Sequence, residues 1–120
     1  MRITAVLAVV IATAVVVVGP ASARSKAPAV VKVSALASGL KFNRTTLHAH
    51  SGKIKLVFTN PSTIDHNVRI ESGENELGGT KTIAKGRTTA VVTLRKGTYN
   101  FYCSVAGHED AGMRGTLIVS

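Results

Sequence analysis

Beyond residue 29 the chain alternates apolar and polar residues with a period of two. In residues 53–59, Ile54, Leu56 and Phe58 share one face while Lys53 and Lys55 take the other, as in a half-buried strand. Comparable runs occupy 30–37, 46–49, 67–70, 88–94, 98–102 and 115–119. Turn signals stand between them at Asn43-Arg44, Ser51-Gly52, Asn60-Pro61, Gly78-Gly79, Lys85-Gly86 and Lys96-Gly97. Helical periodicity is hard to find, and no segment repeats. Seven or eight short strands at this pitch predict an all-β fold, a β-sandwich. Lys96-Gly97 reads as the turn of a hairpin joining the strand that ends at Leu94 to the one that leads to Cys103. Residues 71–79, ESGENELGG, read as a solvated loop.

The N-terminus has a different character. Arg2 precedes an uncharged run from residue 3 to 18, followed by Gly19-Pro20 and Ala21-Ser22-Ala23, which predicts a secretory signal peptide over 1–23 with an A-x-A cleavage site. The apolar run is shorter than the about 20 residues that span a bilayer, so cleavage is preferred to a retained signal anchor, and no stable membrane span is expected afterwards. Residues 24–29 then form a flexible lead-in and 30–120 one domain. The product is exported, to a periplasm, the cell envelope or the medium.

Charge narrows the partners. Lys and Arg number 15 against 6 Asp and Glu, a net +9 that falls to +8 when Arg2 leaves with the signal peptide. This balance favours anionic partners and salt-sensitive association. Three Phe, two Tyr and no Trp, spread along the chain, make no base-stacking platform, so nucleic acid is not an expected partner. A monomer is expected.

A single cysteine forms no internal disulfide, so the thiol of Cys103 needs another reason. It begins the pattern C-x-x-x-x-H-x-x-x-x-M with His108 and Met113. A thiolate, an imidazole and a thioether, completed by a second imidazole from elsewhere, are a ligand set for copper. Strand parity puts Tyr99, Phe101 and Cys103 on one face. It puts Ile64, His66, Val68 and Ile70 on another if that segment is extended, so His66 and Cys103 both face inward. His48 and His50 alternate with Leu47 and Ala49 and read as the solvent face of a strand, a pair able to hold no more than an adventitious metal.

Two segments, NPSTIDHNVRI and GTYNFYCSVAGHEDAGMRGTLIV, together resemble the cupredoxins, small blue copper proteins, over roughly residues 30–119. The resemblance implies a Greek-key sandwich and one type 1 copper ion. It also implies that His66, Cys103 and His108 form a trigonal plane, with Met113 as a weak axial ligand. Asn67 is then expected to hydrogen-bond across to the ligand loop near Ser104. Asp65 and Ala106 stand where many members have proline.

The function so implied is one-electron transfer by Cu(I)/Cu(II) cycling, without catalysis. Sulfur suits Cu(I) and imidazole suits Cu(II), so a mixed set needs little rearrangement between them. Copper delivery or storage is the alternative, and a chain with two methionines, one the initiator, is poorly equipped for it. A copper enzyme would need a further metal with more histidines than His48 and His50, and a dinuclear site a second cysteine. Around His108, the small residues Val105, Ala106, Gly107, Ala111 and Gly112 suggest a flat docking patch for redox partner proteins, interrupted by Glu109 and Asp110.

Overall fold

The computed structural model describes residues 11–17, 19 and 27–120. The leader expected over 1–23 and the start of the lead-in fall largely outside the described residues. Among those described, no helix is long and apolar enough to cross a membrane.

Eight strands follow one another: β1 (Ala29–Ser34), β2 (Thr46–Ala49), β3 (Gly52–Asn60), β4 (Arg69–Ser72), β5 (Asn75–Gly79), β6 (Gly86–Leu94), β7 (Gly97–Tyr102) and β8 (Arg114–Val119). They form a three-stranded sheet in the order β1-β3-β6 and a five-stranded sheet in the order β2-β8-β7-β4-β5. The alternation seen in sequence is the alternation of burial. Ile54, Leu56 and Phe58 of β3 are fully buried and Lys53 and Lys55 exposed. Val31 and Val33 of β1, Val92 and Leu94 of β6, Ile70 of β4, Phe101 of β7 and Leu117 and Val119 of β8 complete a core shared by both sheets. Each large apolar side chain so buried contributes about 1.5–3 kcal/mol.

Phe42 closes one end of that core from a loop. A bridge between Ala35 and Phe42 holds it there, with its ring 5.3 Å from that of Phe101 and 6.2 Å from that of Phe58. It thereby links the two sheets. Nothing in its local pattern marks it as core.

Three expectations need correction. The Lys96-Gly97 turn does not make a hairpin: β6 pairs with β3 in one sheet and β7 with β4 and β8 in the other. The chain crosses between layers there, with the Tyr99 hydroxyl donating to the Arg95 carbonyl at 2.8 Å. A turn signal reports a reversal of direction and not which sheet receives the next strand. Second, residues 71–79 are no loop but the β4–β5 hairpin, with Gly73 at φ 58° in its turn. The many polar residues there reflect the exposure of β5 at the sheet edge. Third, Gly78-Gly79 is not a turn but the end of β5. At Gly79, φ is 148° and a Cβ would run into the Val68 carbonyl, so the glycine permits a backbone approach no side chain would allow.

Candidate metal centre

His66 reaches its place through its neighbours' backbone. It lies between β3 and β4, where a two-way bridge to Ile83 fixes it: His66 N–H donates to the Ile83 carbonyl at 3.0 Å and Ile83 N–H to the His66 carbonyl at 2.9 Å. Asn60 supports this from the end of β3. Its Nδ2 donates to the Ile64 and Ile83 carbonyls at 2.8 and 2.7 Å, while its Oδ1 accepts from Ser62 N–H and the Ser62 hydroxyl. Sequence reading took Asn60-Pro61 as a turn and missed this brace. The signal was there, since a turn asparagine commonly binds the backbone two residues on. Val68 follows, clamped to Thr80 by two hydrogen bonds. His66, Val68 and Ile70 are buried as parity requires, whereas Ile64 is exposed because residues 62–64 bend instead of extending.

The second segment begins where β7 ends. Cys103 N–H donates to the Met113 carbonyl at 3.0 Å, which closes the nine-residue excursion between them at its base. Inside it, His108 N–H donates to Val105, Ala111 N–H to Gly107, Gly112 N–H to Glu109 and Met113 N–H to the His108 carbonyl, all within 3.1 Å. The loop is tied by its own backbone, with alanine at 106. Val105 packs against the core, Ala106, Gly107 and Ala111 are exposed, and Gly112 is half-buried.

Three side-chain donors meet as a result. His66 Nδ1 and His108 Nδ1 are 3.1 Å apart, and Cys103 Sγ lies 3.6 Å from His108 Nδ1 and 3.9 Å from His66 Nδ1. His66 and Cys103 are fully buried and His108 keeps 9% of its surface exposed. Met113 is fully buried at the foot of the loop. Asn67 ties the two segments together, its Nδ2 donating to the Ser104 hydroxyl at 2.7 Å and to Thr82 Oγ1 at 2.9 Å, its Oδ1 accepting from Ser104 N–H. His48 and His50 stand apart, both exposed on or beside β2.

With that geometry, the family can be read from the whole chain. The sequence profile of the cupredoxin-like domain matches residues 6–119. The chain belongs to the cupredoxin family. Among curated proteins, the plastocyanin of Rumex obtusifolius is 36% identical over 75 residues, covering 54% of this chain and 74% of that protein. The plastocyanin of Solanum crispum is 33% identical over 92 residues, covering 68% and 90%. Among solved structures, auracyanin B superposes with a TM-score of 0.73 at 26% identity, over 80% of this chain and 92% of that one.

The donor set of this cupredoxin fits a single soft cation. Nitrogen and sulfur donors bound about 2.0–2.3 Å from a common ion stand roughly 3–4 Å from one another, the spacing found here. The two Nδ1 atoms and the thiol sulfur face one another. His66 Nε2 is buried without a hydrogen-bond partner. Burial, followed by the proximity of His108, holds the His66 imidazole below its ordinary pKa of 6.5 against the weaker pull of Asp65. The ring is therefore kept neutral, the form in which a histidine coordinates a metal.

Proposed function

We propose that this cupredoxin is an exported one-electron carrier, released from residues 1–23, that holds one type 1 copper ion through His66, Cys103, His108 and Met113. The convergence of the two imidazole Nδ1 atoms and the Cys103 sulfur inside the sandwich carries this reading. Copper, when bound, supplies the change between Cu(I) and Cu(II), and this mixture of sulfur and nitrogen suits both states.

The chain's part is to keep those donors still. Cys103 offers a soft sulfur from the inward-facing residue that directly follows β7, and His66 a neutral imidazole from a segment braced by Asn60. The bond between Cys103 and Met113 and the bridge from Asn67 to Ser104 hold the loop in one register. Ligands fixed in advance leave little to reorganise when an electron arrives. Burial also argues against delivery or storage, because an ion enclosed by side chains at most 9% exposed has no open path to an acceptor. His108, the most exposed of the donors, lies beside Ala106, Gly107 and Ala111. Redox partners dock there in this reading.

The experiment is to load the protein with copper and record its visible spectrum through cycles of oxidation and reduction. An intense thiolate-to-copper band that returns after each cycle without loss of metal, and is absent in Cys103→Ser, is the expected result. Metal that passes to a mild chelator on reduction would overturn the carrier reading in favour of delivery.

A further inference from the structure

The outer face of the three-stranded sheet is basic and free of acids. Register across β1, β3 and β6 lines up four rows of outward side chains, of which three are complete: Val30–Lys55–Val91, Lys32–Val57–Thr89 and Ser34–Thr59–Arg87. The fourth pairs Lys53 with Thr93. Each row carries one cation and none carries an acid. Lys32, Lys53, Lys55 and Arg87 are all exposed, and Val30 and Val91 between them are 57% and 59% exposed. At about 3.4 Å per residue the four rows span roughly 20 Å. In sequence, Arg24 and Lys26 lead directly into β1.

All six acidic residues lie elsewhere. Glu71, Glu74 and Glu76 are on the β4–β5 hairpin, Glu109 and Asp110 in the ligand loop, and Asp65 just before His66. Glu71 stands opposite Asn100 and Glu76 in the five-stranded sheet, on the other layer of the sandwich. The one ion pair among the described residues, Arg69 with Glu76, is also on that layer. The molecule thus has one basic face free of acids, with three of its acids on the β4–β5 hairpin of the other layer and three in the segments that carry His66 and His108.

We propose that the three-stranded face binds the surface of an anionic phospholipid bilayer. A protein partner would call for large aromatic anchors seated in pockets, whereas this face presents lysine, one arginine, valine, threonine and serine and has no aromatic. A charged lipid surface requires no matching shape, and a cluster of four or more cations suffices for it. The same field repels the layer that bears Glu71, Glu74 and Glu76. Attraction on one layer and repulsion on the other orient the molecule at the membrane.

Vesicle co-sedimentation of the full chain tests this, with equimolar phosphatidylglycerol and phosphatidylcholine against phosphatidylcholine alone. Binding is expected to the anionic vesicles only and to be lost near ~1 M salt, where the screening length is about 3 Å. The variant Lys32→Gln/Lys53→Gln/Lys55→Gln should bind at least about tenfold more weakly, and the equally charged Lys41→Gln/Lys81→Gln/Arg114→Gln, with Arg114 on the other sheet, within about threefold of the parent. Equal binding to both vesicle types would assign the contact to the apolar N-terminal run, and equal losses in the two variants would assign it to net charge alone. Capture on immobilised polyglutamate without vesicle binding would point to an acidic protein instead. Any of these overturns the proposal. Should the first variant not fold, acetylation of the parent decides the matter: bound vesicles must protect Lys32, Lys53 and Lys55 while leaving Lys41 and Lys81 reactive.

Discussion

Asn67 grips Ser104 with both ends of its amide, donating to the hydroxyl at 2.7 Å and accepting from the backbone N–H at 2.9 Å across 37 residues of sequence. It joins the segment that carries His66 to the first residue of the ligand loop. Replacing Asn67 by Ala leaves the Ser104 N–H without its acceptor, an expected cost of about 1–3 kcal/mol. Urea unfolding of the metal-free protein measures it. Asn67→Asp keeps the acceptor and should lose less, and equal stability of all three proteins would show that the bridge carries no load.

Met113→Leu separates packing from ligation. The side chain is fully buried and leucine is close in volume, so the fold should lose less than about 1.5 kcal/mol. The axial donor tunes the potential of a copper site, and leucine would remove it while leaving His66, Cys103 and His108 in place. The reduction potential should therefore shift, with the visible band retained. An unchanged potential in voltammetry would exclude an axial role.

Gly79→Ala tests the close approach of β5 to Val68. The substitution combines a backbone at φ 148° with a collision against the Val68 carbonyl, two residues from His66. A loss of about 1–3 kcal/mol is expected from the backbone strain alone, seen as a lower thermal midpoint.

Glu71 supplies a pH dependence. Burial, then repulsion from Glu109, Glu74 and Glu76, raises its carboxyl above the ordinary 4.5. The unfolded chain therefore gives up this proton at a lower pH than the folded one. The stability associated with the protonated form is present below pH 4.5 and is lost as pH rises through the folded value. Glu71→Gln should thus match the parent in acid and exceed it at neutral pH. Stability curves that run parallel from pH 3 to 7 would contradict the assignment.

Metal removal should lower stability, because an ion bound only by the folded state stabilises it by mass action. At free copper one hundred times the dissociation constant the gain is about 2.7 kcal/mol. Calorimetry with and without copper reads it, and Cys103→Ser should shrink the difference.

Much of this was legible in the sequence because strands advertise themselves by parity. Lys53 and Lys55 against Ile54, Leu56 and Phe58 identified β3, and the inward positions of Phe101 and Cys103 followed from counting. The hairpin at 71–79 was not legible, since β5 is an edge strand whose residues 75–77 are all exposed and whose half-buried end is two glycines, which leaves no apolar rhythm. Asn60 and Phe42 were missed for a related reason. Each acts across the fold, on Ile83 and on Phe101, and local sequence carries no record of a partner that distant.

By itself the sequence determined the layered β architecture, the family and the chemical character of the donors, because periodicity and the spacing of Cys103, His108 and Met113 are properties of one short stretch of chain. Which sheet each strand joins, how His66 arrives beside Cys103, and that the cations of three strands fall on one acid-free face were decided only by tertiary structure. Those relations depend on register between segments far apart in sequence, and register is settled when the two sheets close on a common core.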